Sequence, residues 1–201
     1  MAYDKYFINR GYKLIFGDYK NDPNNAFLVD NLQITFEVSK SISNKDSANS
    51  ASIEVYNLPQ EAISLLDKEF IFADFQAGYY NTEIKRLFSG QVVSVSTRKQ
   101  GVDVVTQIRM GGSGYKELHY QNFNKLVAPG KTCRDVYEEI RKNIPGVDRG
   151  VFSGLNIDNP VLDGYPMQGT PQQELNRLAQ CTDTDWQIDN GVLYVGDKNK
   201  G

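Results

Sequence analysis

The residues able to do acid–base, nucleophilic or metal chemistry are few and scattered. His119 is the only histidine in the 201 residues, so a Ser–His or Cys–His dyad would have to use it. No Gly-x-Ser-x-Gly surrounds a serine, and no cysteine lies near His119 in sequence. Its expected role is that of a surface or half-buried structural histidine. Cys133 and Cys181 stand 48 positions apart with no Cys-x-x-Cys; they read as reduced, half-buried thiols, and a disulfide is not excluded by their spacing. Asp183 and Asp185 are the tightest acidic pair. They lack the further Asp, central Gly and closing Glu of a calcium loop and read as a polar helix exit.

Carboxylate pairs for glycoside hydrolysis are set in space, not in sequence. Asp67, Glu69 and Asp74 are close along the chain, yet Asp67 and Glu69 read as solvated residues between a helix and a strand. Phe70, Phe72, Phe75, Tyr79 and Tyr80 could stack on bases or sugars. Alternation sends part of that run inward, which favours core packing. Trp186, at the start of a hairpin strand, reads as a core or interface anchor. Gly111, Gly112 and Gly114 flank Ser113 without the Lys-Ser/Thr of a P-loop or a complete Gly-x-Gly-x-x-Gly, so they read as an interruption or hinge. No catalytic group, cofactor site or metal site is expected from these residues.

The elements that would hold these residues follow from periodicity. Leu32, Ile34, Phe36 and Val38 alternate with polar residues, the pattern of a strand with one face on a core. The same pattern returns over 52–56 after a polar loop, Lys40 to Asn49. Pro59 to Asp67 reads as a short helix, and strands follow over 70–79, 87–97 and 102–110. Repeated strands with brief turns and one short helix indicate an antiparallel barrel or sandwich. From residue 113 the pattern changes. Thr132 with Asp135, and Thr170 with Pro171 and Gln173, are helix N-terminus signatures. A Gly-, Pro- and Asn-rich connection spans 150–169, and Asn190-Gly191 predicts a hairpin between 186–188 and 192–195. The expected domains are therefore 1–112 and 113–201.

Composition narrows the function. Hydrophobic residues make up 40% and aromatic residues 11%, ordinary for a globular chain and too aromatic for low-complexity disorder. A net charge of −3 argues against a dedicated nucleic-acid binder. No apolar run approaches the roughly 18 residues of a spanning helix. The N-terminus lacks the basic head and small-residue cleavage site of a signal peptide, so synthesis in the cytoplasm is expected.

One further signal lies in the order of short segments. Ile34 to Ser41 is followed by a polar loop and then by Ala51, Ser52, Ile53, Val55, Tyr56, Asn57 and Leu58, leading into the Pro59 helix. This resembles the opening of bacteriophage tail baseplate hub proteins of contractile tails. Phe75 to Tyr79, the Phe88-x-Gly90-x-Val92 strand, and the helix plus hairpin from Gly169 to Val195 are similar to later parts of the same hubs. The resemblance implies an α+β, mainly β fold: a tail-tube-like antiparallel β-barrel followed by a small α+β domain with two helices and a C-terminal hairpin. It implies a non-enzymatic virion component, a trimeric ring that joins the tail tube to the central spike and leaves an axial passage for the genome. Its expected partners are itself, the tail tube protein, the spike and other baseplate proteins, with DNA as passing cargo and no membrane. Lys40, Asn44, Lys45, Asp46 and Trp186 are the expected assembly residues. Family members continue well past this length with a second tube-like domain, so a shortened chain, a second chain or a reduced hub are the alternatives. The rival readings are a carbohydrate-binding β-sandwich using Tyr79 and Tyr80, and a cell-wall hydrolase using an acid such as Asp74 or Glu117.

Overall fold

The computed structural model describes residues 10–17, 25–41, 49–68, 71–79 and 83–198. Contacts divide the chain into two units, 1–39 with 50–111, and 40–49 with 112–201. The chain passes from the first unit to the second for the last time between 111 and 112, and the excursion Lys40–Asn49 groups with the second unit.

The first unit carries strands β1 (Arg10–Gly17), β2 (Ala26–Val29), β3 (Ile34–Ser39), β4 (Ser50–Tyr56), β5 (Phe72–Tyr79), β6 (Ile84–Gln100) and β7 (Asp103–Gly112), with helix α1 (Gln60–Leu66) between β4 and β5. They form one seven-stranded sheet in the order β2-β1-β5-β6-β7-β4-β3. Every registered pairing in it is antiparallel. The two ends of this order, β2 and β3, are joined only by residues 30–33, a link that spans at most about 18 Å when fully extended. The sheet therefore curls back on itself. Phe36 on β3 confirms the curl, its ring lying 4.7 Å from that of Phe75 on β5, four places away in the strand order. Among the described residues no ladder closes β2 onto β3.

The inner face of the sheet is an alternating apolar set. Leu14 and Phe16, Ile53 and Val55, Phe75, and Ile108 are all fully buried, with Ala62 and Leu66 of α1 packed into the same core. The Tyr56-Asn57-Leu58 junction has a clear local cause. Asn57 takes the left-handed conformation (φ 54°), which asparagine tolerates better than most residues. Its Oδ1 accepts the Val104 N–H at 3.0 Å and its amide donates to Asp103 Oδ1 at 2.9 Å, fixing the end of β4 against β7.

The second unit contains helix α2 (Tyr115–Tyr120), β8 (Phe123–Val127), β9 (Lys131–Thr132), α3 (Cys133–Lys142), β10 (Asp148–Phe152), β11 (Pro160–Val161), β12 (Tyr165–Gly169), α4 (Pro171–Thr182), β13 (Thr184–Asp189) and β14 (Val192–Asp197). A three-stranded sheet runs β10-β14-β13, and the pairs β9–β11 and β8–β12 stand apart from it. Both predicted helix starts carry full capping boxes, Thr132 with Asp135 and Thr170 with Gln173, with Pro171 in the first turn of α4. Asn190 (φ 49°) and Gly191 (φ 82°) make the β13–β14 turn. Tyr137, Ile140, Leu175, Leu178 and Trp186 share one core.

Two expectations are corrected. The glycine cluster at 111–114 does not break regular structure at its start: β7 runs through Gly112, and only Gly114 (φ 75°) turns the chain into α2. The connection 150–169 holds the end of β10, all of β11 and β12. Strand β1, by contrast, escaped the sequence reading although Tyr12, Leu14 and Phe16 alternate within it.

Candidate assembly surface

Of the residues expected to take part in assembly, Lys40 and Trp186 are described, while Asn44, Lys45 and Asp46 lie outside the described residues. Lys40 Nζ stands 2.9 Å from Asp189 Oδ1, with the two side chains 40% and 36% exposed. The ammonium thus has an intrachain partner, in a surface pair of the kind that contributes under about 1 kcal/mol. Behind it Asn49 is buried. Its amide donates to the Ile188 carbonyl at 3.0 Å and its Oδ1 accepts the Ser41 N–H at 2.8 Å. These bonds tie both ends of the excursion to the end of β13, which is why it counts with the second unit.

Trp186, read from sequence as a core or interface anchor, packs in the core of the second unit. It is 3% exposed, and its Nε1 donates to Asn176 Oδ1 at 2.9 Å. Alternation along β13 buries Thr184, Trp186 and Ile188 together, and an indole inside needs one acceptor, which α4 supplies.

The residues that carried rival chemistries fall as follows. Asp74 is fully buried, and its Oδ2 accepts Arg86 Nε at 2.9 Å; the carboxylate is placed in an ion pair inside the sheet. Tyr79 ends β5 at 39% exposure, and Tyr80, Glu69 and Phe70 lie outside the described residues. Glu117 sits in the first turn of the six-residue α2. Asp183 is the left-handed C-cap of α4 (φ 54°) and pairs with Lys198 at 2.9 Å. His119 packs against Tyr115 at 4.3 Å between ring centroids, and burial holds its pKa below the ordinary value. Cys133 and Cys181 are both free thiols. Among the described residues no three His, Cys, Asp or Glu side chains gather as metal ligands would. No described helix is long and apolar enough to cross a membrane.

What the surface does offer is apolar and strand-edged. Strand β3 ends the sheet order, and Phe36 on it is 49% exposed. Beside it a cleft of about 490 Å³ is lined by Arg10, Tyr12, Ile34, Phe36, Ala77 and Leu87. The sequence reading reached the β3 side of this cleft and missed the β1 side with β1 itself. The long β6–β7 hairpin ends at Val102, 96% exposed. A strand that pairs on one side only among the described residues, and a half-covered apolar face, are the features by which sheets pair with neighbouring chains.

Comparison with solved structures gives this architecture a precedent. A tail protein from Neisseria meningitidis MC58 superposes over 96% of this chain with a TM-score of 0.66 at 14% identity. The 43 kDa tail protein of prophage MuSo2 from Shewanella oneidensis does so over 92% with a TM-score of 0.61, also at 14% identity. The fold is that of phage tail proteins. It also matches a chain of the Francisella PdpA–VgrG complex over 94% of its length, with a TM-score of 0.64 at 12% identity. The chain spans 53% of the length of each of the two tail proteins and 32% of the Francisella chain. No protein-family model matches the sequence, and a search of curated proteins returns no match. The mainly β, α+β architecture expected from the residues is thus the architecture of this tail fold.

Proposed function

We propose that this chain is a structural, non-enzymatic component of a phage or phage-derived tail baseplate, a hub that assembles as a trimeric ring. In this reading the ring joins the tail tube to the central spike and leaves an axial passage for the genome. The observation that carries it is the superposition of nearly the whole chain on tail proteins. The order of segments from Ile34 to Pro59 and from Gly169 to Val195 supports the hub assignment within that fold. Edge strand β3 and the excursion Lys40–Asn49, with Asn44, Lys45 and Asp46, are what we assign to ring contacts. Lys40 itself contributes as half of its pair with Asp189. The partners are further copies of the chain, the tail tube protein, the spike and other baseplate proteins, and the site of action is the virion, after synthesis in the host cytoplasm.

The test is the solution mass by light scattering behind a sizing column over a range of concentrations. The expected result is a species three times the 22.7 kDa chain that grows with concentration and shows an axial hole when imaged. A monomer that persists at every concentration, alone and mixed with tail tube protein, would overturn the ring.

A further inference from the structure

The core of the first unit is open at one end. In the β1–β5 register Arg10 stands opposite Tyr79, Tyr12 opposite Ala77 and Leu14 opposite Phe75. Alternation puts all three pairs on one face, and only the last of them is deep in the core. The β2 ladder begins at Leu14, and β3 pairs only with β4 among the described residues. The 490 Å³ cleft lies where these ladders stop, with Ile34 and Phe36 of β3 as its other wall. Arg10 is the one charged residue of its lining, exposed and in no ion pair among the described residues.

Three large apolar side chains stand further into solvent than any other described residue of their kind: Val102, Leu155 at 88% exposure and Leu162 at 76%. Charge separates them as occupants for a cationic apolar cleft. Val102 shares its hairpin tip with Lys99, and its acidic neighbour Asp103 is already bonded to Asn57. The acids near Leu155 are likewise engaged, Asp158 with Arg134 and Asp197 with the Leu155 N–H. Leu162 is followed by Asp163, which is exposed and in no ion pair among the described residues. Their turn is held at both ends. Gly130 donates its N–H to the Val161 carbonyl at 3.0 Å, and Tyr165 pairs with Val127. Leu126, also exposed, lies beside Gly164 of the same turn.

We propose that the cleft of one copy receives the 162–164 turn of the next, Leu162 entering the apolar opening and Asp163 pairing with Arg10. Burial of the leucine holds the contact, and the ion pair fixes its orientation. A turn already held at both ends loses little freedom on docking. The two surfaces are different patches of the same chain, so each copy gives a turn and receives one. Contacts of that heterologous kind close into rings. The inference rests on the ring assignment above and names what the β3 side of one copy meets on its neighbour.

The experiment compares the full chain with Arg10→Glu, Asp163→Arg, the double variant and Leu162→Ser, by light scattering over a range of concentrations. Each single variant should need a roughly tenfold higher concentration to associate, and the double variant should return to within about threefold of the native chain. Urea midpoints should not move for the charge variants, because neither side chain has an ion-pair partner within its own described chain. A native oligomer indifferent to both reversals, or a double variant no better than the singles, overturns this contact and leaves the ring standing. An effect of Arg10→Glu without one of Asp163→Arg gives the cleft to another occupant and also overturns it. A native chain that is monomeric at every concentration overturns the ring and this contact together.

Discussion

The buried amide of Asn49 donates to the carbonyl of Ile188 at 3.0 Å, across 139 positions of sequence. Its carbonyl oxygen accepts the Ser41 N–H, so one side chain closes the excursion 41–49 and anchors it to β13 at once. Asn49→Ala should strand a buried carbonyl and release the Ser41 N–H, at a cost of about 1–3 kcal/mol in urea unfolding. Lys40→Ala, removing a half-exposed ion pair beside it, should cost under about 1 kcal/mol. Equal losses for the two would show that the amide does not anchor the excursion.

Asp74 and Arg86 are joined inside the first unit with unequal exposure, 0% for the carboxylate and 41% for the guanidinium. Arg86→Met should therefore cost about 2–3 kcal/mol. That is somewhat below the loss for breaking a fully buried pair, because water already reaches the arginine. The double variant Asp74→Asn with Arg86→Met should recover much of the loss, since the uncompensated charge goes with the partner. A double variant no better than Arg86→Met alone would remove charge burial as the cause.

His119 sets a pH dependence of definite sign. Burial lowers its folded pKa below the ordinary 6.5, with Tyr115, Tyr120 and Gln172 as its neighbours. Above pH 7 the ring is neutral in both states and contributes nothing. As pH falls through 6.5 the unfolded chain takes up the proton first, so stability is lost until the folded ring also titrates. Asp135, Asp158 and Glu139 are held below their ordinary values by partners and lose their contribution only in the more acidic carboxylate range. Urea midpoints at pH 7.5 and 5.5 should differ for the native chain and differ less for His119→Gln. An unchanged difference would place the titration elsewhere.

Those groups also show what the sequence could and could not reveal. The two capping boxes and the Asn190-Gly191 turn were legible because each is decided by neighbours within three residues. Helix α3 and strand β13 followed from periodicity. What escaped was decided at long range: β12 lies in a Gly- and Pro-rich stretch and becomes a strand by pairing with β8. There Glu174, 1% exposed, accepts the Gln168 N–H at 2.9 Å and Arg177 at 2.6 Å. The candidate surface divided in the same way. Alternation marked Phe36 as strand-borne, but no local signal told that Trp186 has Asn176 as its partner inside or that Lys40 has Asp189 outside.

The contact between Phe36 and Phe75 gives the last prediction, because it joins strands that share no ladder among the described residues. Phe75 is fully buried, whereas Phe36 is 49% exposed, so truncating Phe36 removes only part of a phenylalanine's burial together with one edge-on ring contact. Phe36→Ala should cost about 1–2 kcal/mol, less than the roughly 3–5 kcal/mol of a fully buried ring. A Phe36→Ala, Phe75→Leu double-mutant cycle should show coupling of at least about 0.5 kcal/mol. If the two changes simply add, β3 is not held over β5 and the curl of the sheet rests on the 30–33 link alone. If they couple, the same ring that secures the curl also leaves half its surface at the β3 edge. A variant that keeps the fold there, Phe36→Leu, should then lower the concentration-dependent mass without lowering the unfolding midpoint by more than about 1 kcal/mol.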